Sequence, residues 1–339
     1  MESGSSWDSV ARLLEEGSPP YPRDAVAPRR APGEEEDPEA SVLVISYNTR
    51  ELTLACLESV FARAGRARLE VIVVDNSSAD GSAGAIVEGF PQVRFIESAE
   101  NIGFAGANNL AATNARGEFL LLLNPDTLVL PGAVEKILSF ARSNPEAGIW
   151  GGRTYFEDGS LNPASCWRRI TPWSMFCRGT GLTSLFRHSS FFNPEAYGGW
   201  PRDSVRRVDI VSGCFFLIRR ELWQRLGGFD REEADLCLRA RRLGCRPLVT
   251  PEACIIHYGG RSEASRAGKM VRLLKARRRL MARHWSPWSY PFGCGMQRLW
   301  VLSRWVAWKI LELAGRKNAS ERSQAYAEVW QRRAEWCWL

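Results

Sequence analysis

The sequence has no apolar run that is long enough to cross a membrane. No stretch of about 18 uncharged apolar residues occurs in the 339-residue chain. The opening segment MESGSSWDSVARLLEEG also lacks the basic start and apolar run of a secretory signal. We therefore expect a cytoplasmic protein that is not secreted.

Cysteine pairs with the spacing of a metal or redox motif are also absent. The nine cysteines are odd in number and scattered, and none forms a C-x-x-C pair. This pattern argues against a disulfide framework and against a four-thiolate zinc site.

Proline and charge are unevenly distributed, and they divide the chain into three parts. Residues 1–39 hold six of the 18 prolines and end in an acidic run, so we expect a disordered leader. Residues 261–339 carry 17 Lys and Arg against 5 Asp and Glu, which predicts a basic, helical C-terminal extension. A catalytic domain is expected over residues 40–260.

Short apolar runs alternate with helical patterns from Ala40 onward. The runs SVLVISYN, LEVIVVDN, VRFIES and EFLLLLNPD read as strands, with amphipathic segments between them. This alternation predicts an α/β fold with a mostly parallel, doubly wound sheet and flanking helices. Polar residues follow three strand ends, where such sheets bind ligands: Tyr47-Asn48, Asp75-Asn76-Ser77-Ser78 and Asn124-Pro125-Asp126. A dinucleotide-binding oxidoreductase shares the alternation, but no G-x-G-x-x-G follows the first strand.

Three of these segments carry recognisable chemistry. Asp126 ends a buried strand, and Mg²⁺ is often held by one or two carboxylates together with substrate phosphates. Asp75 precedes a small-residue turn and suits hydrogen bonds to a base or a ribose. The segment Asn101-Ile-Gly103-Phe-Ala-Gly106-Ala-Asn108-Asn109 offers small residues at a helix start, where free amides and the helix dipole favour phosphate. Taken alone, Asn-Pro-Asp is more typical of a turn or a helix cap.

In this order and spacing, the segments resemble the family 2 glycosyltransferases, and in particular bacterial rhamnosyltransferase-like members with the GT-A fold. The resemblance covers roughly Ser41 to Gly260 and rests on SVLVISYN, VIVVDNSSADGS, NIGFAGANN, LLLNPDT, IVSGCFFLIRR, GGFD, ADLCLRARRLG and IIHYGG.

The resemblance implies an inverting transferase that uses a nucleotide-diphosphate sugar, expected to be a dTDP or UDP sugar, with Mg²⁺ or Mn²⁺. The expected sugar is rhamnose, and the expected acceptor is a cell-surface glycan or a lipid-linked glycan.

The resemblance also implies roles for individual residues. The nucleotide pocket is expected from Tyr47, Asn48, Asp75 and Asn108; the metal site from Asp126 and His257; and the donor-sugar and diphosphate contacts from Gly103, Asn124, Ser212 and Gly213. Read without the family, a lone histidine after an apolar strand is more often structural.

The catalytic base is expected shortly after Gly227-Gly228-Phe229-Asp230. Glu233 is the first choice for this base and Asp235 the second. The loop after Asp230 is shorter than in the family, and the acidic pair is Glu-Glu. Two alternatives therefore stay open: a helix N-terminus whose acidic residues complement the dipole, and a nucleotide-sugar-binding or scaffold protein that has lost turnover.

Two basic and aromatic regions have less specific interpretations. Trp200 and the segment 166–173 are either stacking surfaces for a sugar or ordinary core and surface aromatics.

The Arg-rich segment 272–283 and the Trp-rich segment 299–311 predict peripheral contact with anionic lipid on the inner face of the cell membrane. A helical pair packed on the catalytic domain and a site for a phosphate-bearing acceptor remain alternatives. Nucleic acid is not an expected partner, because no nucleic-acid motif occurs.

Overall fold

A computed structural model describes residues 37–259 and 266–337. Most of the predicted leader therefore lies outside the described residues. The described chain forms two compact units, the first from residues 37–167 and 201–259 and the second from residues 168–200 and 266–337. The second unit thus combines the C-terminal helices with a segment that the sequence interpretation placed in the catalytic domain. The expected boundary at residue 260 stays a prediction.

The strands and helices are numbered in chain order. The strands are β1 Ala40–Ser46, β2 Leu69–Asp75, β3 Arg94–Glu97, β4 Phe119–Leu123, β5 Thr127–Val129, β6 Ile149–Tyr155, β7 Cys166–Trp167, β8 Arg206–Arg207, β9 Ile210–Val211, β10 Phe215–Arg219 and β11 Leu248–His257. The helices are α1 Arg50–Arg63, α2 Ser82–Gly89, α3 Gly103–Thr113, α4 Ala133–Ser143, α5 Pro172–Thr180, α6 Leu182–Leu185, α7 Arg220–Leu226, α8 Glu233–Arg242, α9 Arg266–His284, α10 Ser289–Leu313, α11 Ala319–Gln331 and α12 Arg333–Cys337. Short 3₁₀ helices cover Pro145–Ala147 and Pro163–Ser165.

The first unit is built on a nine-stranded mixed sheet among the described residues. Its order is β3-β2-β1-β4-β10-β6-β11-β5, and β8 also pairs with β11. Strands β3, β2, β1 and β4 run parallel. Strands β1 and β4 are buried along their whole length, because helices cover a parallel sheet on both faces and continuous apolar runs are then stable. The predicted α/β class with flanking helices is confirmed.

Strand β10 brings a further segment to the ligand-binding edge. It lies antiparallel between β4 and β6, and Phe215 at its start faces Leu123 at the end of β4. The turn at residues 212–214 that precedes β10 therefore lies beside the residues that follow β4. At the far side, His257 at the end of β11 pairs with Thr127 of β5, one residue from Asp126.

The second unit is helical, and a small apolar core holds helices α9 to α12 together. Its buried members include Val271, Leu274, Val301, Val329 and Trp336. A second group of contacts surrounds the buried Glu195, which accepts from Arg277 at 2.8 Å and from Arg178 at 3.0 Å.

The basic residues of α9 do not form a single solvated face. Arg272, Arg279 and Arg283 are exposed. Arg278 is buried and its Nε donates to the Tyr290 hydroxyl at 2.9 Å. Lys275 pairs with Glu335 at 2.7 Å. Helices α10 and α12 thus cover part of the basic surface of α9, through Tyr290 and Glu335.

Over residues 37–259 and 266–337, none of the helices combines the length and the apolar character that a membrane span requires.

Candidate active site

The carboxyl end of β2 carries a buried aspartate, and one of its two carboxylate oxygens has no hydrogen-bond partner in the described chain. Asp75 is almost fully buried, and its Oδ2 accepts from the backbone N–H of Ser78 at 2.8 Å. Its Oδ1 is also buried but has no hydrogen-bond partner in the described chain. A buried acceptor without a partner is rare, because the desolvation cost is not recovered. The position therefore suits a ligand that donates a hydrogen bond, as a base or a ribose hydroxyl does.

A pair of asparagines fixes the loop between β3 and α3 against the end of β2. Asn76 Nδ2 donates to Asn101 Oδ1 at 2.9 Å, and Asn76 Oδ1 accepts from the N–H of Ile102 at 3.0 Å. The N–H of Gly103 also donates to Asn101 Oδ1 at 2.9 Å. Helix α3 thus begins beside Asp75. In the described structure, the first turn of α3 carries no acidic residue, and the side chain of its N-cap residue, Ile102, makes no capping hydrogen bond. The N-terminus of α3 therefore favours an anion.

Asn48 joins the ends of β1 and β2. Its backbone lies in the left-handed region at φ 51°, a conformation that asparagine tolerates better than most residues. Its N–H donates to Ser78 Oγ at 2.9 Å, and its Oδ1 accepts from the N–H of Ala79 at 2.8 Å. Tyr47, directly before it, is 46% exposed and its ring is available to stack on a base.

Asn108 lies deeper than the other predicted nucleotide residues. It is buried within α3, and its Nδ2 donates to the Phe104 carbonyl of the same helix at 2.8 Å. The structure thus groups Tyr47, Asn48, Asp75 and Gly103 at one edge, whereas the amide of Asn108 bonds to its own helix.

Two of the side chains predicted for the metal and diphosphate site, Asp126 and Asn124, lie close to the same atom, Nε2 of His257. His257 Nε2 lies 3.1 Å from Asp126 Oδ1 and 3.5 Å from Asn124 Nδ2. Both side chains of the closer pair are mostly buried, at 11% exposure for Asp126 and 18% for His257. The local fold holds them, because the N–H of Tyr258 donates to the Asp126 carbonyl at 3.0 Å.

His257 is strongly basic in this environment. Burial alone would lower its pKa, but hydrogen bonds to Asp126 and to Cys214 raise the pKa to about 10. The imidazolium supplies the positive charge that the Asp126 carboxylate requires. A metal ion bound between the two side chains would take over that charge and displace the ring proton.

This donor set fits a divalent cation that shares its coordination with a substrate. Carboxylate and amide oxygens suit Mg²⁺ and Mn²⁺, and an imidazole is compatible with Mn²⁺. No group of three or more His, Cys, Asp and Glu with metal-binding geometry occurs among the residues that the structure describes. Magnesium sites in proteins often have only one or two carboxylate ligands, with water and substrate phosphates as the others.

The turn before β10 connects the histidine to the predicted base. On one side, Cys214 interacts with His257 and its carbonyl accepts from the N–H of Asn124 at 3.3 Å. On the other side, a Cβ built on Gly213 would lie 3.2 Å from the Phe104 ring and 3.8 Å from the Glu233 carboxyl carbon. Ser212 anchors the turn, since its N–H donates to the Ser165 carbonyl at 2.9 Å. A side chain at position 213 would crowd the Phe104 ring, so glycine lets Phe104 and Glu233 lie close to the turn.

Glu233, the first residue of α8, has the character of a proton acceptor. Burial raises the pKa of its carboxyl group, although the backbone N–H groups of Glu233 and Gly213 oppose that effect. A raised pKa makes a carboxylate a stronger base near neutral pH. Its place next to the turn at residues 212–214 puts it near the Asp126–His257 pair without direct contact between them.

Asp235 has a structural partner instead. Arg239 Nε donates to its Oδ2 at 2.7 Å, and Arg239 Nη2 donates to the Gly228 carbonyl at 2.8 Å. The ion pair is mostly buried and ties α8 to the glycine turn before it.

Several residues of the site were not predicted from sequence. Asn101, Phe104, Asn109 and Cys214 all lie within the motifs that suggested the family, but their side chains contact other segments of the chain. Asn109, for example, donates to the Phe229 carbonyl at 2.8 Å and accepts from its N–H at 2.9 Å. The double amide Asn108-Asn109 was the available signal, and it could not show which of the two reaches across.

The predicted aromatic surfaces for an acceptor sugar belong largely to the second unit. Trp200 packs edge to face on Tyr197, with 5.7 Å between ring centroids. Trp173 packs on Phe191 at 4.9 Å and is 39% exposed. Their role as an acceptor surface stays a prediction.

Comparisons with known proteins identify the family and the fold of the chain. Residues 41–227 match the model of the glycosyl transferase family 2. The chain is 26% identical over 246 residues to the O-antigen biosynthesis protein RfbC of Myxococcus xanthus, covering 68% of this chain and 18% of that protein. It is 26% identical over 224 residues to an N-acetylglucosaminyl-diphospho-decaprenol L-rhamnosyltransferase of Mycobacterium tuberculosis, covering 57% of this chain and 68% of that one.

A solved mannosyltransferase from Pyrobaculum calidifontis, in complex with GDP-Man and Mn²⁺, has a similar fold. The TM-score is 0.56 at 18% identity, over 98% of this chain and 93% of that one. The chain spans less than a fifth of the length of RfbC. The matched segment nevertheless covers more than half of the 339 residues and includes the ends of β1, β2 and β4 and the turn before β10. The chain therefore belongs to the glycosyl transferase family 2 and has the GT-A fold.

Proposed function

We propose that the chain transfers a sugar from a nucleotide-diphosphate donor to the hydroxyl group of a glycan or lipid-linked acceptor. The observation that carries the proposal is the turn at residues 212–214, which joins the Asp126–His257 pair to Glu233. A glycosyl transfer needs a site for the leaving diphosphate and a base for the acceptor hydroxyl. The Asp126–His257 pair on one side of the turn suits the diphosphate site. Glu233 on the other side, with its raised pKa, suits the base.

The donor nucleotide binds at the ends of β1 and β2. The unpartnered Oδ1 of Asp75 accepts a hydrogen bond from the base or the ribose, and the exposed ring of Tyr47 stacks on the base. The diphosphate lies toward the N-terminus of α3 at Gly103, where the helix dipole favours negative charge. A dTDP or UDP sugar is the proposed donor, and rhamnose the proposed sugar.

Asp126 and His257 would hold a divalent cation, Mg²⁺ or Mn²⁺, with Asn124 beside them. When bound, the cation neutralises the charge that grows on the diphosphate as the sugar departs. Asp126 and His257 orient it through the contacts that fix them to Asn124, Cys214 and Tyr258.

Glu233 takes the proton from the acceptor hydroxyl as its oxygen attacks the anomeric carbon. A single displacement of this kind inverts that carbon, and we assign no second nucleophile to the site. Gly213 lets Phe104 and Glu233 lie close to the turn, and we place the donor sugar beside that turn. Of the two carboxylates considered for this step, Asp235 is committed to Arg239, which favours Glu233.

The chain is proposed to act in the cytoplasm in polysaccharide assembly, with the basic second unit in peripheral contact with an anionic membrane surface. Exposed cations on α9, namely Arg272, Arg279 and Arg283, support that contact.

The proposal is tested by nucleotide release. The purified chain is incubated with Mn²⁺ and with dTDP-rhamnose, UDP-glucose, UDP-N-acetylglucosamine or GDP-mannose, and free nucleoside diphosphate is measured with a glycan extract as acceptor. Release from one donor above the rate without protein is expected. Tight binding of a donor without release would instead support the alternative of a nucleotide-sugar-binding protein that has lost turnover through its shortened acidic loop.

A further inference from the structure

The second unit contains a cavity of about 490 Å³ that the proposed sugar transfer does not use. Its volume lies within the range of about 300–1,000 Å³ that is typical of small-molecule sites. Three arginines, Arg178, Arg304 and Arg322, line it together with the aromatic residues Trp300, Trp308 and Tyr326.

The cations of this cavity exceed its anions. Glu195 pairs with Arg178, but Arg277 shares the same carboxylate at 2.8 Å. Arg304 donates to the Ser184 hydroxyl, and no described carboxylate pairs with Arg304 or with Arg322. The guanidinium carbon of Arg322 lies 4.5 Å from the Trp308 ring centroid, a contact that orients a cation without neutralising it. The walls of the cavity therefore carry a net positive charge.

The guanidinium group of Arg178 is only partly satisfied within the fold. Its Nη2 bonds to Glu195 at 3.0 Å, whereas its buried Nε has no hydrogen-bond partner among the described residues. Glu195 is also shared with Arg277, so it does not fully neutralise Arg178. Planar guanidinium groups bind phosphate particularly well, and Arg178 lines the cavity.

Helix α10 contributes aromatic walls beside these cations. Its cavity-lining residues Trp300, Arg304 and Trp308 recur every four residues, so they share one side of the helix. Met270 and Val329 extend the apolar part of the lining. Apolar and aromatic walls next to a few cations suit a ligand that joins an anionic group to an apolar chain.

We propose that this cavity binds the phosphate group of a phosphorylated lipid, with the apolar chains of the lipid against the aromatic and aliphatic walls of the cavity. The phosphate lies among Arg178, Arg304 and Arg322, and the aromatic walls cover the part of the lipid next to it. The inference rests on the proposed membrane contact of the second unit and is independent of the proposed sugar transfer. It assigns the membrane contact to a specific lipid-binding site rather than to a general attraction between exposed cations and anionic lipid.

The test is calorimetric titration of the full chain, without divalent metal, with three soluble probes. These are dihexanoyl phosphatidate, dihexanoyl phosphatidylcholine and inorganic phosphate. Phosphatidate is expected to bind at least about tenfold more tightly than the other two, because only it joins a dianionic phosphate to apolar chains. Equal binding of phosphatidate and phosphatidylcholine would overturn the phosphate site, and equal binding of inorganic phosphate would overturn the lipid assignment.

Charge variants locate the site. Arg322→Gln and Arg304→Gln are each expected to weaken phosphatidate binding at least about tenfold, whereas Lys317→Gln, which removes an exposed charge outside the cavity, leaves it unchanged. Thermal melting of each variant identifies any that does not fold, and Arg322→Lys keeps the charge as a milder second variant. Unchanged binding in both folded glutamine variants would overturn the proposal.

Sedimentation with phosphatidate vesicles separates this site from membrane contact in general. If the glutamine variants still bind vesicles but not soluble phosphatidate, the cavity is the lipid site and the exposed cations contribute separately. Nucleotide release by the same variants is expected to stay at the parent level, so a failure of the lipid site is distinguishable from a failure of the proposed transfer.

Discussion

Glu233 and Asp235 lie two residues apart at the start of α8, and their surroundings give them different chemistry. Asp235 is held by Arg239, so its charge is neutralised within the fold. Glu233 faces the turn at residues 212–214, where burial raises the pKa of its carboxyl group. The sequence alone made both residues candidates for the catalytic base. The different surroundings of the two side chains distinguish between them.

Replacing Glu233 with Gln is expected to keep donor binding and to abolish most of the transfer. The glutamine amide has nearly the same shape as the carboxylate but cannot take the proton from the acceptor hydroxyl. General-base catalysis contributes about 10²–10⁴-fold to rates. We expect nucleotide release to fall at least about 100-fold, with the affinity for the donor nucleotide within about twofold of the parent chain.

Asp235→Asn provides the matched comparison. It leaves Arg239 without its anionic partner in a mostly buried position, so we expect a lower free energy of unfolding, by about 3–5 kcal/mol. Release of nucleotide by the remaining folded fraction should persist. The opposite pattern, with full release by Glu233→Gln and none by folded Asp235→Asn, would transfer the role of base to Asp235.

At the scale of elements, the two glycines between α7 and α8 differ in what surrounds them. Gly227 and Gly228 both have positive φ angles, at 73° and 68°. A Cβ at Gly227 would meet nothing within 4 Å, whereas one at Gly228 would lie 2.5 Å from Asn109 Oδ1. Asn109 in turn bonds to both backbone groups of Phe229, so this contact ties α3 to the segment that leads to Glu233.

Alanine substitution separates these two effects. Gly227→Ala is expected to lower the free energy of unfolding by about 1 kcal/mol, the usual cost of a left-handed backbone for a residue with a side chain. Gly228→Ala is expected to cost at least about 1 kcal/mol more, because Asn109 must also move. Urea unfolding of the two variants measures the difference, and equal losses would show that the link between Asn109 and Phe229 adds little.

Sequence predicted most elements of the first unit but not how they meet. The apolar runs from β1 to β4 gave the parallel strands, and the polar strand ends gave Asp75 and Asp126. The position of β10, antiparallel between β4 and β6, depends on pairing between distant segments, which periodicity does not encode. The side-chain contacts of Asn109 and Cys214 across the site follow from that pairing and were therefore missed.

For the whole molecule, the buried charge cluster of the second unit predicts a dependence of stability on pH. Burial alone would raise the pKa of Glu195, but Arg277 and Arg178 hold it well below its usual range. Since the folded pKa lies below the unfolded value of about 4.3, the stability that Glu195 supplies is present above that pH and declines as the pH falls further. We expect the free energy of unfolding to fall progressively on acidification below about pH 4.

Glu195→Gln tests the origin of that acid sensitivity. Two arginines then face a neutral amide, so we expect a loss of about 3–5 kcal/mol in the free energy of unfolding at neutral pH and a smaller change between pH 5 and 3. Denaturant unfolding followed by circular dichroism at several pH values measures both quantities. A variant that keeps the pH dependence of the parent chain would assign the sensitivity to other carboxylates.

We propose a metal-dependent nucleotide site at the carboxyl edge of the sheet. Calorimetric titration of the purified chain with dTDP, UDP and GDP, each with and without Mn²⁺, tests it most directly. We predict that dTDP or UDP binds with Mn²⁺ and at least about tenfold more weakly without it. We also predict that Asp126→Asn abolishes the metal effect while Asp158→Asn, in an exposed loop, retains it. Binding of none of the three nucleotides, or binding that is indifferent to both Mn²⁺ and Asp126, would contradict the account.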